Sequence, residues 1–471
     1  MTVLRARSRP DDNRFVLIRP RESSRVTEFS LGLGYVARAL MNEGLAVETL
    51  CCDLVAFGDR EVEERLRASN PRFVGIGGMY GSFPEFIRLA RLVRLACPDA
   101  LLLVGGALPT SAPEHVLRRT GADVACIGPA ETTIVDVVRA WAGGAGLGEV
   151  AGICLREKDG SFRRTRPAVQ PRFLDGGPST WPAWEAFDGD SYVQGTAYHP
   201  FPASARIAPI MTARGCPYSC NFCFQPARYA KRPLDDVFDE MEWLIDRYAV
   251  DGFYLEDDLF TVDRKRVLAF CDGLAERNIH TRFSVTGRFN IVDRPMLRAL
   301  RAAGCISMFY GGEAADDDTL AAMKKHITVA QMREGIQAAR DSGIFVRTGF
   351  MFGQPGETRD QLEGTVRFLK EMAVGEFEPR VIYGCIPFPA TDLFDYCTAN
   401  GLLEGEEDLY RRMRFQPRLL DQIPVNMTAI HDADPWELLN AANRELLRFY
   451  EDRDPVWFRR ISGEALVPEA A

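Results

Sequence analysis

Two successive series of apolar runs, each alternating with stretches of helical period, constrain this chain more than any other feature. The first series pairs Phe15 to Ile18 with Leu31 to Gly44, Ala46 to Leu50 with Val62 to Ser69, and Phe73 to Gly77 with Phe83 to Cys97. It continues with Leu101 to Gly106 and Ala112 to Arg119, then Asp123 to Ile127 and Thr132 to Ala142. Short strands and helices joined by Gly-rich turns predict a doubly wound, Rossmann-like, mostly parallel α/β sheet over residues 1–145. The ligand site of such a sheet lies beyond the carboxyl ends of its strands. From 146 to 200, Gly and Pro recur too often for long elements, which predicts a linker with one small hairpin at Asp159 and Gly160.

The second series spans 201–398. Its expected strands are Ile207 to Met211, Gly252 to Leu255, Arg282 to Val285, Ile306 to Tyr310, Phe345 to Phe352 and Arg380 to Cys385, with helices between them. Six βα units that never return to the first sheet predict a partial (β/α)6 barrel, whose chemistry sits on the loops after its strands. Residues 399–471 read as a helical, charged C-terminal region. The 471 residues are too many for one core. A net charge of −9 argues against nucleic acid as a partner. The start has no apolar signal region and no apolar run reaches about 18 residues, so the expectation is a cytoplasmic protein with no membrane contact. In that compartment thiols stay reduced, and clustered cysteines bind metal or react.

Cys216, Cys220 and Cys223 form C-x-x-x-C-x-x-C in the loop after the first barrel strand. A structural zinc site wants four ligands, and no second Cys or His pair follows at a suitable spacing. A cubane iron–sulfur cluster held by three thiolates keeps one iron open to a ligand from outside the protein.

The stretch from Ala213 to Phe224 resembles the cluster loop of the radical S-adenosylmethionine (SAM) enzymes, Phe222 before the last cysteine included, and the resemblance covers roughly residues 200–395. It implies a [4Fe–4S] cluster on Cys216, Cys220 and Cys223 whose open iron binds the amino and carboxylate groups of SAM. Reductive cleavage of SAM then gives a 5′-deoxyadenosyl radical, with an external electron donor such as flavodoxin or ferredoxin. It also implies cofactor contacts for Glu256, Asp257 and Asp258 after the second strand, for Glu313 after the fourth, and for the Gly-rich turn from Gly349 to Glu357. Arg288 and Arg347 stand near strand ends at the same mouth, and each is able to clamp a carboxylate or phosphate.

The first series is similar to the cobalamin-binding domain of the cobalamin-dependent radical SAM enzymes of the methyltransferase type. The matching turns are Gly75 to Ser82, Val104 to Thr110 and Asp123 to Glu131. The similarity implies cobalamin contacts at Gly77, Gly78, Ser82, Gly105 and Gly106, where small residues let backbone approach a flat macrocycle. Arg19 to Ser30 contains no histidine, so cobalamin would bind without a protein imidazole. The expected function is radical chemistry on a small, natural-product-like molecule, most simply cobalamin-dependent methylation of carbon, as in antibiotic biosynthesis. The alternative is a dehydratase, epimerase or rearrangement enzyme for a sugar-type substrate, its first domain free of cobalamin. That chemistry needs a proton donor or acceptor, for which Tyr310, Tyr383 and Glu357 are the candidates.

Overall fold

Phe15, Val16, Leu17 and Ile18 are almost wholly shielded from solvent because their strand lies inside a parallel sheet covered on both faces. In the computed structural model, which describes residues 13–21, 28–157, 159–170, 177, 179–193, 201–202, 204–373, 382–413 and 422–453, they form β1 (Arg14–Arg19). The first sheet continues with β2 (Ala46–Cys51), β3 (Phe73–Gly78), β4 (Leu101–Gly106), β5 (Val124–Cys126), β6 (Ile153–Arg156) and β7 (Phe162–Arg164). Its order is β2-β1-β3-β4-β5-β6-β7, with β1 to β5 parallel. The strand order reverses between β1 and β3, which opens a crevice at their carboxyl ends.

The hairpin at Asp159 and Gly160 is not set apart in a linker. β6 pairs antiparallel with β5, and β7 with β6, so the first sheet gains two strands. The neighbouring segment is also part of the packing: Trp184 is fully buried and stacks on Phe29 at 3.8 Å. The helix expected over Ala112 to Arg119 is present as Pro113–Thr120, with Pro113 in its first turn, and a short helix that the sequence did not signal, Ala107–Ser111, precedes it.

The second sheet contains β8 (Ile207–Ile210), β11 (Gly252–Leu255), β12 (Arg282–Gly287), β13 (Cys305–Glu313), β14 (Phe345–Phe352) and β15 (Ile382–Gly384). A small antiparallel pair, β9 (Ala213–Arg214) with β10 (Ala230–Lys231), interrupts the series after β8. The order β15-β14-β13-β12-β11-β8 is parallel throughout, a six-stranded partial barrel. Residues 380 and 381, expected to begin the last strand, lie outside the described residues. Thr328 and Thr358 start the helices after β13 and β14, each in a capping box with the glutamine three residues on.

The two domains share their cores. One cluster joins Phe15, Leu33 and Val124 to Phe253, Phe350 and Tyr450; the other joins Val74, Leu102 and Phe86 to Cys385, Leu409 and Met427. The C-terminal region therefore packs on both domains. Tyr410 stacks on His115 at 4.5 Å, and Glu407 pairs with Arg119. Met427 O accepts from Gly356 N, and Ala429 N donates to Glu357 O. Among the described residues no helix is long and apolar enough to cross a membrane.

Candidate functional site

A cavity of about 670 Å³ lies where the carboxyl ends of β1, β3, β4 and β5 face the loop between β9 and β10. One wall is nearly all backbone. Gly77 and Gly78 of β3 sit in register with Gly105 and Gly106 of β4, and all four line the cavity. Gly106 has φ +105°, and a Cβ there would lie 2.1 Å from Gly78 O, so only glycine fits. Ser82 is fully buried and does not line the cavity; its hydroxyl donates to Met79 O at 2.8 Å and holds the turn after β3. No histidine lines this space. A flat shelf without side chains beneath a cavity of this size fits a macrocycle.

The facing wall carries side chains, among them Met211, Arg214, Phe222, Cys223, Phe224 and Asp258. The antiparallel pair β9 and β10 closes the cysteine loop at its base. Gly215 has φ +74°, and a Cβ there would meet Ala227 O at 2.5 Å. Asn221 pins the tip: its N–H donates to Met323 O, its side-chain amide to Ala322 O, and its carbonyl accepts from Leu393 N. Cys216, Cys220 and Cys223 are half-buried free thiols. Burial, reinforced by Cys220 and Cys216, pushes the Cys223 thiol up to about 11, and Gln225 donates to its sulfur at 3.2 Å. Burial also raises the Cys216 thiol. Three adjacent thiolates repel one another and need a cationic group between them. Among the described residues no three His, Cys, Asp or Glu side chains are set to hold a single metal ion. Three thiols in one short loop have the ligand chemistry of a cubane cluster with one open iron.

The acidic candidates divide sharply. Asp257 is buried and spends both oxygens on the chain, accepting from Thr212 N and Thr212 Oγ1 at 2.6 Å and from Ala213 N at 3.0 Å. It fastens the entry to the cysteine loop, and burial raises it to about 6. Glu357 likewise accepts from Gly353 N at 2.8 Å and Gln354 N at 3.0 Å, clamping the turn after β14; burial raises it to about 7. Asp258 is exposed to the cavity and lies close enough to Cys216 to raise its thiol. Glu313, at φ +68° beside a register shift in β13, is buried against Lys325 at 2.6 Å.

Arg288 is 4% exposed and lies over the ring of Tyr218, inside the cysteine loop, at 4.0 Å. Its Nε donates to Asn290 Oδ1 at 3.1 Å, while one terminal nitrogen is buried without a partner. Arg347, on β14, donates to Tyr254 Oη at 3.0 Å and lies against Phe309. Glu256 senses the same guanidinium, yet burial and then Glu28 raise its carboxyl to about 8. Tyr254, Glu256 and Arg347 thus make a polar group inside the barrel. Tyr383, on β15, is half-buried. Tyr310 is fully buried, stacked on Phe289 at 4.3 Å, with its hydroxyl unpartnered and its acidity suppressed by burial. The structure does not bring it to the cavity.

Sequence reasoning missed the contact between the walls. Arg214, just before the cysteine loop, pairs with Glu131 at the start of the helix Glu131–Ala142 and lies over the Tyr35 ring at 4.7 Å. It also missed Lys325. Neither pair has a spacing signal, because the partners are 83 and 12 residues apart.

Comparison with known proteins follows the same division. The Radical SAM superfamily profile matches residues 210–369 and the B12 binding domain profile residues 22–138. An uncharacterized methyltransferase of Pyrococcus horikoshii is 26% identical over 79% of each chain. Cytidylyl-2-hydroxyethylphosphonate methyltransferase of Streptomyces wedmorensis is 24% identical over 81% of this chain and 80% of its own. Among solved structures, the radical SAM methyltransferase TsrM of Kitasatospora setae, with cobalamin and a [4Fe–4S] cluster bound, superposes at a TM-score of 0.68 with 20% identity, over 82% of this chain and 78% of that one. The cobalamin-dependent SAM radical enzyme OxsB superposes at 0.66 with 18% identity, over 95% of this chain and 62% of that one.

Proposed function

Since the chain is a radical SAM protein with a B12-binding domain, we propose that it is a methyltransferase that transfers a methyl group to carbon of a small, natural-product-like molecule. The observation that carries the reading is the single cavity bounded by the glycine shelf on one side and by Cys223 and Asp258 on the other. The groups it would hold, a [4Fe–4S] cluster, SAM and cobalamin, supply a carbon-centred radical and a transferable methyl group.

The chain's own residues do the holding. Cys216, Cys220 and Cys223 take the cluster, and Asn221 and Gly215 fix their loop. Asp258, open to the cavity beside Cys216, takes the SAM ammonium. The free terminal nitrogen of Arg288 takes its carboxylate, oriented by Asn290 and the Tyr218 ring. Glu313 is held by Lys325 at the end of β13 and keeps the loop bearing Lys325 against Phe222. Asp257 and Glu357 position loops and leave the acid–base chemistry to others. Gly77, Gly78, Gly105 and Gly106 carry the corrin, with Ser82 supporting them from behind. Arg347, Tyr254, Glu256 and Tyr383 face the substrate in the barrel.

This arrangement suits a cytoplasmic enzyme served by a one-electron donor. The test is anaerobic reconstitution with iron, sulfide and cobalamin, read by visible spectrum and metal content. Near one cobalamin and four irons per chain is the expected result. A cluster without cobalamin would overturn methyl transfer in favour of a dehydratase or epimerase.

A further inference from the structure

The electron that such chemistry consumes must arrive from outside, and one patch beside the cysteine loop has the charge to receive its carrier. Residues 165–170 run from β7, the last strand of the first sheet among the described residues, to that loop. There Gln170 grips the backbone of Arg228 at both ends: its amide donates to Arg228 O at 2.8 Å, and its carbonyl accepts from Arg228 N at 2.7 Å. Arg228 is five residues beyond Cys223, and Pro226 and Ala227 between them line the cavity. The strap and the cysteine loop therefore present one continuous surface.

That surface is unusual for a chain of net charge −9. Arg163 and Arg164 on β7 are matched by Glu157 and Glu114. Arg166 and Arg228 are exposed and have no carboxylate partner among the described residues. Between Arg166 and Gln170 stands Val169, 78% exposed, more than any other large apolar residue among the described residues. Unpaired guanidinium groups around an exposed apolar contact have the make-up of a protein interface. Their field draws an acidic partner to this side of a molecule that repels it elsewhere.

We propose that Arg166, Val169 and Arg228 are the docking surface for a small acidic protein that delivers one electron to the cluster held by Cys216, Cys220 and Cys223. The carrier's reduced centre loses one electron and the cluster gains it; no atom moves. This inference rests on the functional reading above.

The test uses the full, anaerobically reconstituted protein, with photoreduced flavodoxin as the carrier and dithionite as a small reductant. Bleaching of the cluster absorption is followed by stopped flow. The Arg166→Glu, Arg228→Glu double variant is expected to be reduced by flavodoxin roughly tenfold or more slowly at low salt. The gap closes at high salt, and the dithionite rate and melting temperature match the wild type. Val169→Asp, which adds an acid without removing a cation, is expected to slow flavodoxin in the same sense. Equal flavodoxin rates at low salt in all three proteins would overturn the docking surface alone. Failure of the wild type to take up a cluster would overturn the functional reading and this inference with it.

Discussion

The two walls of the cavity are built from the same βα repeat, yet one presents backbone and the other side chains. The first sheet ends in the glycine pairs of β3 and β4, which offer shape and no charge. The barrel side ends in Cys223, Asp258 and Arg214, set among the rings of Phe222 and Phe224, and offers charged and reactive side chains. A wall of the first kind recognises by fit, and any added atom harms it. A wall of the second kind recognises by charge, and only the loss of a particular group harms it.

The largest effect should separate the walls cleanly. Alanine at Cys216, Cys220 or Cys223 is expected to abolish the cluster absorption while cobalamin uptake persists; loss of both together would show that the walls do not act separately. Next comes the shelf. Gly106→Ala must fit a Cβ 2.1 Å from Gly78 O at φ +105°, a strain of roughly 2 kcal/mol or more. A large fall in melting temperature with lost cobalamin binding is expected. Gly105→Ala sharpens the point, since its Cβ would meet nothing closer than 4.0 Å. Its stability should stay near wild type while cobalamin affinity drops, as measured by equilibrium dialysis.

A smaller effect tests the contact between the walls. Arg214→Ala leaves Glu131 without its partner and should lower stability by about 2 kcal/mol in denaturant titration. If Glu131→Gln in that background restores much of the loss, the cost came from the stranded charge.

The smallest effect is in pH. Burial holds Glu357 at about 7, above the ordinary carboxylate value of 4.5. The folded state therefore binds the proton more tightly than the unfolded chain does. Its stabilising contribution is full below about pH 4.5 and is lost as pH rises through about 7. Glu357→Gln, which keeps an oxygen for Gly353 N and Gln354 N, should flatten that part of the stability profile. An unchanged slope would place the titration elsewhere.

Much of this architecture was legible in the sequence, because periodicity reports burial and spacing reports metal ligands. Both sheets, the cysteine loop and the glycine turns follow from such local signals. What the sequence hid was direction. Asp257 and Asp258 are neighbours, yet one turns in to satisfy three donors and the other faces the cavity. Tyr310 and Tyr383 likewise look equivalent until the barrel buries one against Phe289. The hairpin at Asp159 read as linker because its pairing with β5 joins residues that local pattern cannot connect. The C-terminal region carried no motif, and its packing on both domains rests on contacts between residues far apart in the chain.

That region bears on the order of assembly. Leu403, Leu409 and Tyr410 complete the core of the first domain, and Met427 and Ala429 hold the turn after β14. A ribosome delivers these residues after both walls have been made. Until they emerge, the apolar faces that they cover stay open to solvent, so the native burial of both cores waits for the last part of the chain.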